Sequence, residues 1–301
     1  MSTPTLDMRQ DSLVVQVDNE AAVKRSGKVA NVGGGAVNVL AGMTDANILV
    51  AIDGPIATIA LNRPARHNAI ALAMWTELPN IVARLAAYAA VRAIILHGTG
   101  GTFSAGADIA EFAAVRASVA QGEAYEQAVD ACSDAIQASE KPLIAAIDGF
   151  CLGGGCHLAM ACDFRFLSPA AKLGIPAARL SIVYGVRSTA RLLSLVGLPA
   201  AKRILFSGEQ LTAEEALRLG LGDRIDVDPL AAARAFAANL AENAPLSIAG
   251  AKLILNGLAM GTDTLDLETA ERAILAAVGS EDYTEGRQAF AEKRRPVFRG
   301  S

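Results

Sequence analysis

The sequence predicts an α/β protein whose first part alternates short strands with helices and whose last part is helical. Three observations carry this. Short apolar runs of strand length recur between Ile48 and Leu167, and several stop at glycine. Stretches with a helical apolar period lie between them. Beyond Arg187 one helix start follows another.

Taken in order, Ile48–Ile52 and Ile56–Leu61 read as strands joined by Asp53-Gly54-Pro55, a hairpin signal. Ala71–Tyr88 has helical periodicity, and Val91–His97 reads as a buried strand ending in Gly98-Thr99-Gly100-Gly101. A helix over Val119–Ala138 precedes a strand over Pro142–Ile147, which ends at Asp148-Gly149. Gly153–Ala161 reads as a helix feeding a strand over Phe164–Leu167. Thr212 followed by Glu214-Glu215 signals a capped helix start, and Pro229, Pro245 and Asp263 mark later starts. Residues 1–45 differ from the rest: they hold little periodicity and read as a poorly ordered extension. Their run Gly33-Gly34-Gly35 lacks the Lys-Ser/Thr partner and strand-to-helix setting of a phosphate loop. The division is therefore 1–45 extension, 46–230 α/β core and 231–301 helical C-terminal region.

Composition narrows the class. Hydrophobic residues make up 52% of the chain and charged residues 19%, which excludes wholesale disorder. A net charge of −4 advertises no nucleic-acid partner, so a phosphorylated ligand needs a local basic patch. The cysteines Cys132, Cys151, Cys156 and Cys162 match neither a CxxC pair nor a zinc finger, and the histidines are scattered. They read as small apolar residues in a reducing compartment, with no metal. No apolar run is long enough to span a membrane. Asp7, Asp11, Asp18 and Glu20 argue against a transit peptide, so the cytoplasm is expected.

Two glycine-rich turns carry the chemistry. FSAGADIAEF, residues 103–112, follows one strand, and IDGFCLGGGCHLAMACD, residues 147–163, follows another. Small residues let backbone N–H groups approach a ligand, and a helix start favours developing negative charge. Two amides converging on one oxygen would form an oxyanion hole. Either turn alone reads equally well as tight packing.

With LNRPARHNAI at 61–70, LTAEEALRLGLGDRI at 211–225 and AFAEKRRPVF at 289–298, these turns stand in the order and spacing of one family. From about Ala46 to Gly300 the chain resembles the enoyl-CoA hydratase/isomerase, or crotonase, superfamily. The resemblance implies a spiral of ββα units with a helical C-terminal region used for trimerisation, in a homotrimer or homohexamer. It implies that Ala107 and Gly154 supply the oxyanion-hole amides and that Ala105, Gly106, Ala107, Asp108 and Ile109 line the adenine and pantetheine path. It gives Arg66 and Lys293 to the phosphates of coenzyme A, which enters as part of the thioester and not as a separate cofactor. Both cations read equally well as solvated surface.

One departure limits the analogy. Hydratases of this family position water with two glutamates, whose places are held here by His157 and Ala177. Histidine can still move protons near neutral pH, although a helix start should lower its pKa. It reads also as a hydrogen-bonded helix residue. Tyr184 resembles a tyrosine of methylmalonyl-CoA decarboxylases in the same superfamily, and reads also as a packed aromatic. Asp108 and Glu111 suit capping of the helix that follows the first turn, Asp148 bonding of backbone amides, and Asp163 a structural role. Arg179 and Arg187 are candidates for attracting a carboxylated acyl group. Three readings result: a lyase-type enzyme acting on an acyl-CoA through an enolate, a malonyl- or methylmalonyl-type decarboxylase, and a catalytically silent acyl-CoA-binding protein.

Overall fold

The apolar run Ile56–Leu61 forms a strand with every residue buried, and Leu143–Ile147 does the same. A strand buried on both faces needs no polar alternation, which is why these segments read as continuous apolar runs. The computed structural model describes residues 13–14, 46–261 and 265–301. Its first elements are β1 (Leu13–Val14), β2 (Ile48–Asp53), β3 (Ile56–Leu61), α1 (Leu72–Ala87), β4 (Ala93–Gly98), α2 (Phe112–Val115) and α3 (Val119–Ala138). Next come β5 (Leu143–Ile147), β6 (Phe150–Leu152), α4 (Gly154–Ala161), β7 (Phe164–Leu167) and β8 (Lys172–Gly174). The rest is α5 (Val186–Ser207), β9 (Leu211–Thr212), α6 (Ala213–Leu219), β10 (Arg224–Ile225), α7 (Pro229–Ala241), α8 (Pro245–Ala259), α9 (Leu267–Val278) and α10 (Glu281–Glu292). α5 is interrupted at Gly197, whose φ is +72°.

One sheet runs β1-β2-β3-β4-β5-β7-β10 and a second runs β6-β8-β9. From β3 to β10 the strands of the large sheet are parallel, while β2 pairs antiparallel with both β1 and β3. The chain leaves the large sheet after β5, adds β6 to the small one, returns as β7 and leaves again as β8. This alternation is the expected ββα progression. The stretch beyond Arg187, read as almost all helix, also contains β9 and β10. They correct that reading: two residues are too few for strand alternation to register.

Side-chain alternation sorts the core into two layers. Ile94 and Leu96 of β4 join Trp75, Leu78, Tyr125 and Leu158 from α1, α3 and α4. Ala93 and Ile95, pointing the other way, pack with Ala232, Ala233 and Ala237 of α7. All four cysteines are buried within the first layer and free of disulfides. Lys252 of α8 is buried and donates to Asp163 at 2.9 Å and to the carbonyls of Ile136 and Lys141. Asp163 also accepts from Leu143 N at 2.8 Å, so its role is structural, as the sequence suggests.

Helix starts follow the expected chemistry. Thr212 and Glu215 form a capping box on α6, and Pro229 and Pro245 occupy the first turns of α7 and α8. Asp263 lies outside the described residues, and Asp266 caps α9. Within 1–45 the described residues are Leu13 and Val14, which extend the sheet edge as β1. The glycine run 33–35 lies outside the described residues.

Candidate active site

The first glycine turn is held by a short parallel bridge to Ile70. Ile70 N donates to Gly106 O at 2.8 Å, and Asp108 N donates to Ile70 O at 2.9 Å. Successive peptide groups of extended backbone point to opposite sides, so Ala107 N faces away from Ile70. In the second turn Gly153 has φ +49° and starts α4, whose first amides have no acceptor within the helix. Among the described residues neither Ala107 N nor Gly154 N donates to a protein acceptor. A Cβ placed on Gly154 would lie 3.1 Å from Ala107 N and 2.9 Å from the Trp75 ring. The two free amides therefore border one small space. Gly106, with φ +107°, permits this approach, since a Cβ there would lie 2.8 Å from Leu152 O and 3.3 Å from Gly154 N.

That space opens into a cavity of about 130 Å³ whose wall includes Ala105, Gly106, Ala107, Ile109, Gly154, His157, Ala177 and Tyr184. These eight are the wall residues the sequence singles out, a minority of the wall. The sequence misses Trp75, Tyr125 and Ser188, which come from three helices and carry no local motif. Trp75 Nε1 donates to Tyr125 Oη at 3.0 Å, and its ring meets His157 edge to face.

His157 is buried, with Ser188 Oγ 2.7 Å and Tyr184 Oη 3.5 Å from Nδ1. Among the described residues Nε2 has no partner at hydrogen-bond geometry. Burial lowers its pKa to about 4 from 6.5, the Arg191 guanidinium adds to the shift, and the Val129 backbone opposes it weakly. The direction agrees with expectation, but the cause is desolvation and a neighbouring cation instead of the helix start. Burial also raises the Tyr184 hydroxyl well above its ordinary range. Both groups are neutral at pH 7.

A stability effect follows from His157. Between about pH 6.5 and 4 the unfolded chain binds a proton there that the folded chain does not, so stability falls with falling pH. The slope is about 1.4 kcal/mol per pH unit inside that window. Urea midpoints of wild type and His157→Gln between pH 7 and 5 should diverge, the wild type losing more. Parallel slopes would exclude a buried neutral imidazole.

The remaining candidates divide. Asp108 accepts from Ala110 N as a cap and pairs with Arg63 at 2.8 Å, while the exposed Arg66 stands 3.8 Å from its other oxygen. Glu111 caps a different helix than expected: it accepts from Leu72 N at the start of α1, which has no cap of its own. Asp148 accepts from Gly149 N, as expected, and from Ser168 Oγ. Lys293 ends α10 and lies outside the cavity wall. Arg187 pairs with Asp134, and Arg179 donates to Ser207 O; neither lines the cavity. The guanidinium on the wall is that of Arg116, stacked 4.9 Å from the Phe112 and Tyr125 rings and paired with Glu126.

Comparison with known proteins gives one family. The family model for Enoyl-CoA hydratase/isomerase matches residues 51–301. A probable enoyl-CoA hydratase of Bacillus subtilis is 37% identical over 84% of this chain and 98% of its own. The short-chain-enoyl-CoA hydratase of Clostridium acetobutylicum is 34% identical over 83% and 96%. The crystal structure of an enoyl-CoA hydratase/isomerase family protein from Hyphomonas neptunium superposes with a TM-score of 0.80 at 41% identity, over 84% of this chain and 97% of that one.

Proposed function

The chain belongs to the enoyl-CoA hydratase/isomerase (crotonase) superfamily, and from that premise we propose that it acts on an acyl-CoA thioester through an enolate. The observation that carries this is the pair of unpartnered amides at Ala107 and Gly154, separated by a space that a single Cβ would fill. Such donors strengthen as charge moves onto the thioester oxygen. The wall argues for a restricted chemistry. His157 and Ala177 stand where the resemblance places the two water-activating glutamates, and the one carboxylate of the wall among the described residues, Glu126, is paired with Arg116. Ordinary hydration of an enoyl-CoA is therefore weak.

Decarboxylation of a malonyl- or methylmalonyl-type thioester is the second reading. It needs the same enolate and no activated water, and the Tyr184 hydroxyl stands on the wall beside His157. A mass-spectrometric screen of saturated, unsaturated and carboxylated CoA thioesters separates the readings. The expected result is little hydration by the wild type and a gain of hydration in the double variant His157→Glu, Ala177→Glu. Robust hydration by the wild type would overturn the reading of the wall. Binding without any product would leave a silent acyl-CoA-binding protein, and no binding of any CoA ester would overturn the whole proposal.

Self-association fits the C-terminal helices. A groove of about 780 Å³ between α8, α9 and α10 is lined by Ile254, Ile274 and Phe290, and Phe290 is 88% exposed. We read it as subunit surface of a homotrimer or homohexamer. The cytoplasm suits a CoA-dependent protein, and among the described residues no helix is long and apolar enough to cross a membrane.

A further inference from the structure

We infer that Ser188 fixes His157 as its Nε2–H tautomer, so that the imidazole serves as a hydrogen-bond donor to an acceptor oxygen carried by the acyl group. The inference rests on the acyl-CoA reading above. It begins with Ser188 Oγ, buried on the first turn of α5 and 2.7 Å from His157 Nδ1. Among the described residues Ser188 Oγ makes no other hydrogen bond, so its proton is used only if it donates to Nδ1. The opposite arrangement, Nδ1–H donating to Oγ, leaves the serine proton without an acceptor. Tyr184 Oη, the second hydroxyl near Nδ1, also finds no other acceptor. With Nδ1 accepting, a neutral imidazole carries its proton on Nε2.

Nε2–H is then a buried donor that meets no acceptor at hydrogen-bond geometry among the described residues, with the Val129 backbone the one weakly acting acceptor beside the ring. Such groups are costly to leave unpaired, and a ligand that supplies an acceptor is favoured over one that does not. Position narrows the ligand. Gly154 and His157 are three residues apart on α4, so they share a face and lie about 4.5 Å apart along the helix axis. An acyl group whose thioester oxygen meets Gly154 N therefore presents its next few carbons to the imidazole. The preferred class is an acyl group bearing an acceptor oxygen near its third carbon, either a hydroxyl or a carboxylate. In this arrangement Ser188 is a positioning residue, and Nε2 is a donor and not a proton acceptor.

Titration of 3-hydroxybutyryl-CoA, malonyl-CoA and butyryl-CoA, followed by the fluorescence of Trp75, tests this, because Trp75 is the single tryptophan and its ring centroid lies 6.0 Å from that of His157. The wild type should bind one of the two oxygenated esters at least about tenfold more tightly than butyryl-CoA. Which ester wins separates the hydroxyl from the carboxylate source. In Ser188→Ala the ratio should fall toward one, and Ser188→Thr should restore it. Nitrogen NMR of the wild type, assigned with His157→Gln, should show Nδ1 unprotonated at pH 7. Equal affinities for all three esters, an unchanged ratio in Ser188→Ala, or an Nδ1–H tautomer would each overturn the inference alone. Absence of binding by every ester would end the acyl-CoA reading and the ligand half of the inference with it, while the nitrogen spectrum still decides the tautomer.

Discussion

Gly154→Ala is expected to lower turnover of an acyl-CoA substrate by about 10²–10³-fold, the loss typical for one oxyanion-hole donor. The new methyl group would occupy the space between Gly154 and Ala107 N, 3.1 Å from that nitrogen. It would also press on the Trp75 ring at 2.9 Å. Trp75 cannot move aside cheaply, being fully buried and tied through Nε1 to Tyr125 Oη. A thioester oxygen held as proposed would therefore be displaced from both donors together. Single-turnover rates on whichever ester the screen identifies give the measurement, with thermal melting as a check that the variant folds. A rate within a few-fold of wild type would remove Ala107 and Gly154 as the oxygen site.

Lys252→Met is expected to cost about 3 kcal/mol of stability, the lower end of the range for breaking a buried ion pair. The methionine keeps the aliphatic volume, so packing of α8 changes little. What is lost is an ammonium that donates to Asp163 and to two carbonyls, Ile136 O and Lys141 O. Among the described residues Asp163, 16% exposed at its side chain, then keeps only Leu143 N as a donor, and its charge loses its cationic partner. Urea denaturation of the variant and of Lys252→Met combined with Asp163→Asn makes the argument specific. The second change should recover part of the loss, since a neutral amide suffers less from the missing ammonium. A double variant no better than the single one would show that the ion pair is not the cause.

The sequence exposes the parts of this fold whose signal is local. A fully buried strand such as Ile56–Leu61 needs an apolar run, and a start such as Thr212 with Glu215 needs two residues at fixed spacing; both are visible in one dimension. The small sheet is not. Phe150–Leu152, Lys172–Gly174 and Leu211–Thr212 are brought together by the path of the chain, and each is too short to show a period. The site divides in the same way. Ala107, Gly154 and His157 lie in glycine-rich motifs, whereas Ser188 and Trp75 reach the cavity from helices, and Arg116 from the bend that follows α2, none of which carries such a mark. Glu111 is instructive: as a carboxylate after a turn it reads as a cap for the residues that follow. It caps α1 instead, because the bridge between Ile70 and Ala107 brings the start of that helix alongside.

The proposed donors at 107 and 154 belong to the main chain, and the groups that would move protons belong to side chains. The first kind is fixed by the path of the backbone through Ile70, Gly106 and Gly153, and no ordinary exchange of one side chain for another deletes it. The second kind hangs on the wall and is replaceable one residue at a time. A scaffold divided in this way keeps its hold on the thioester while its reaction is rewritten, and His157 with Ala177 is one such text.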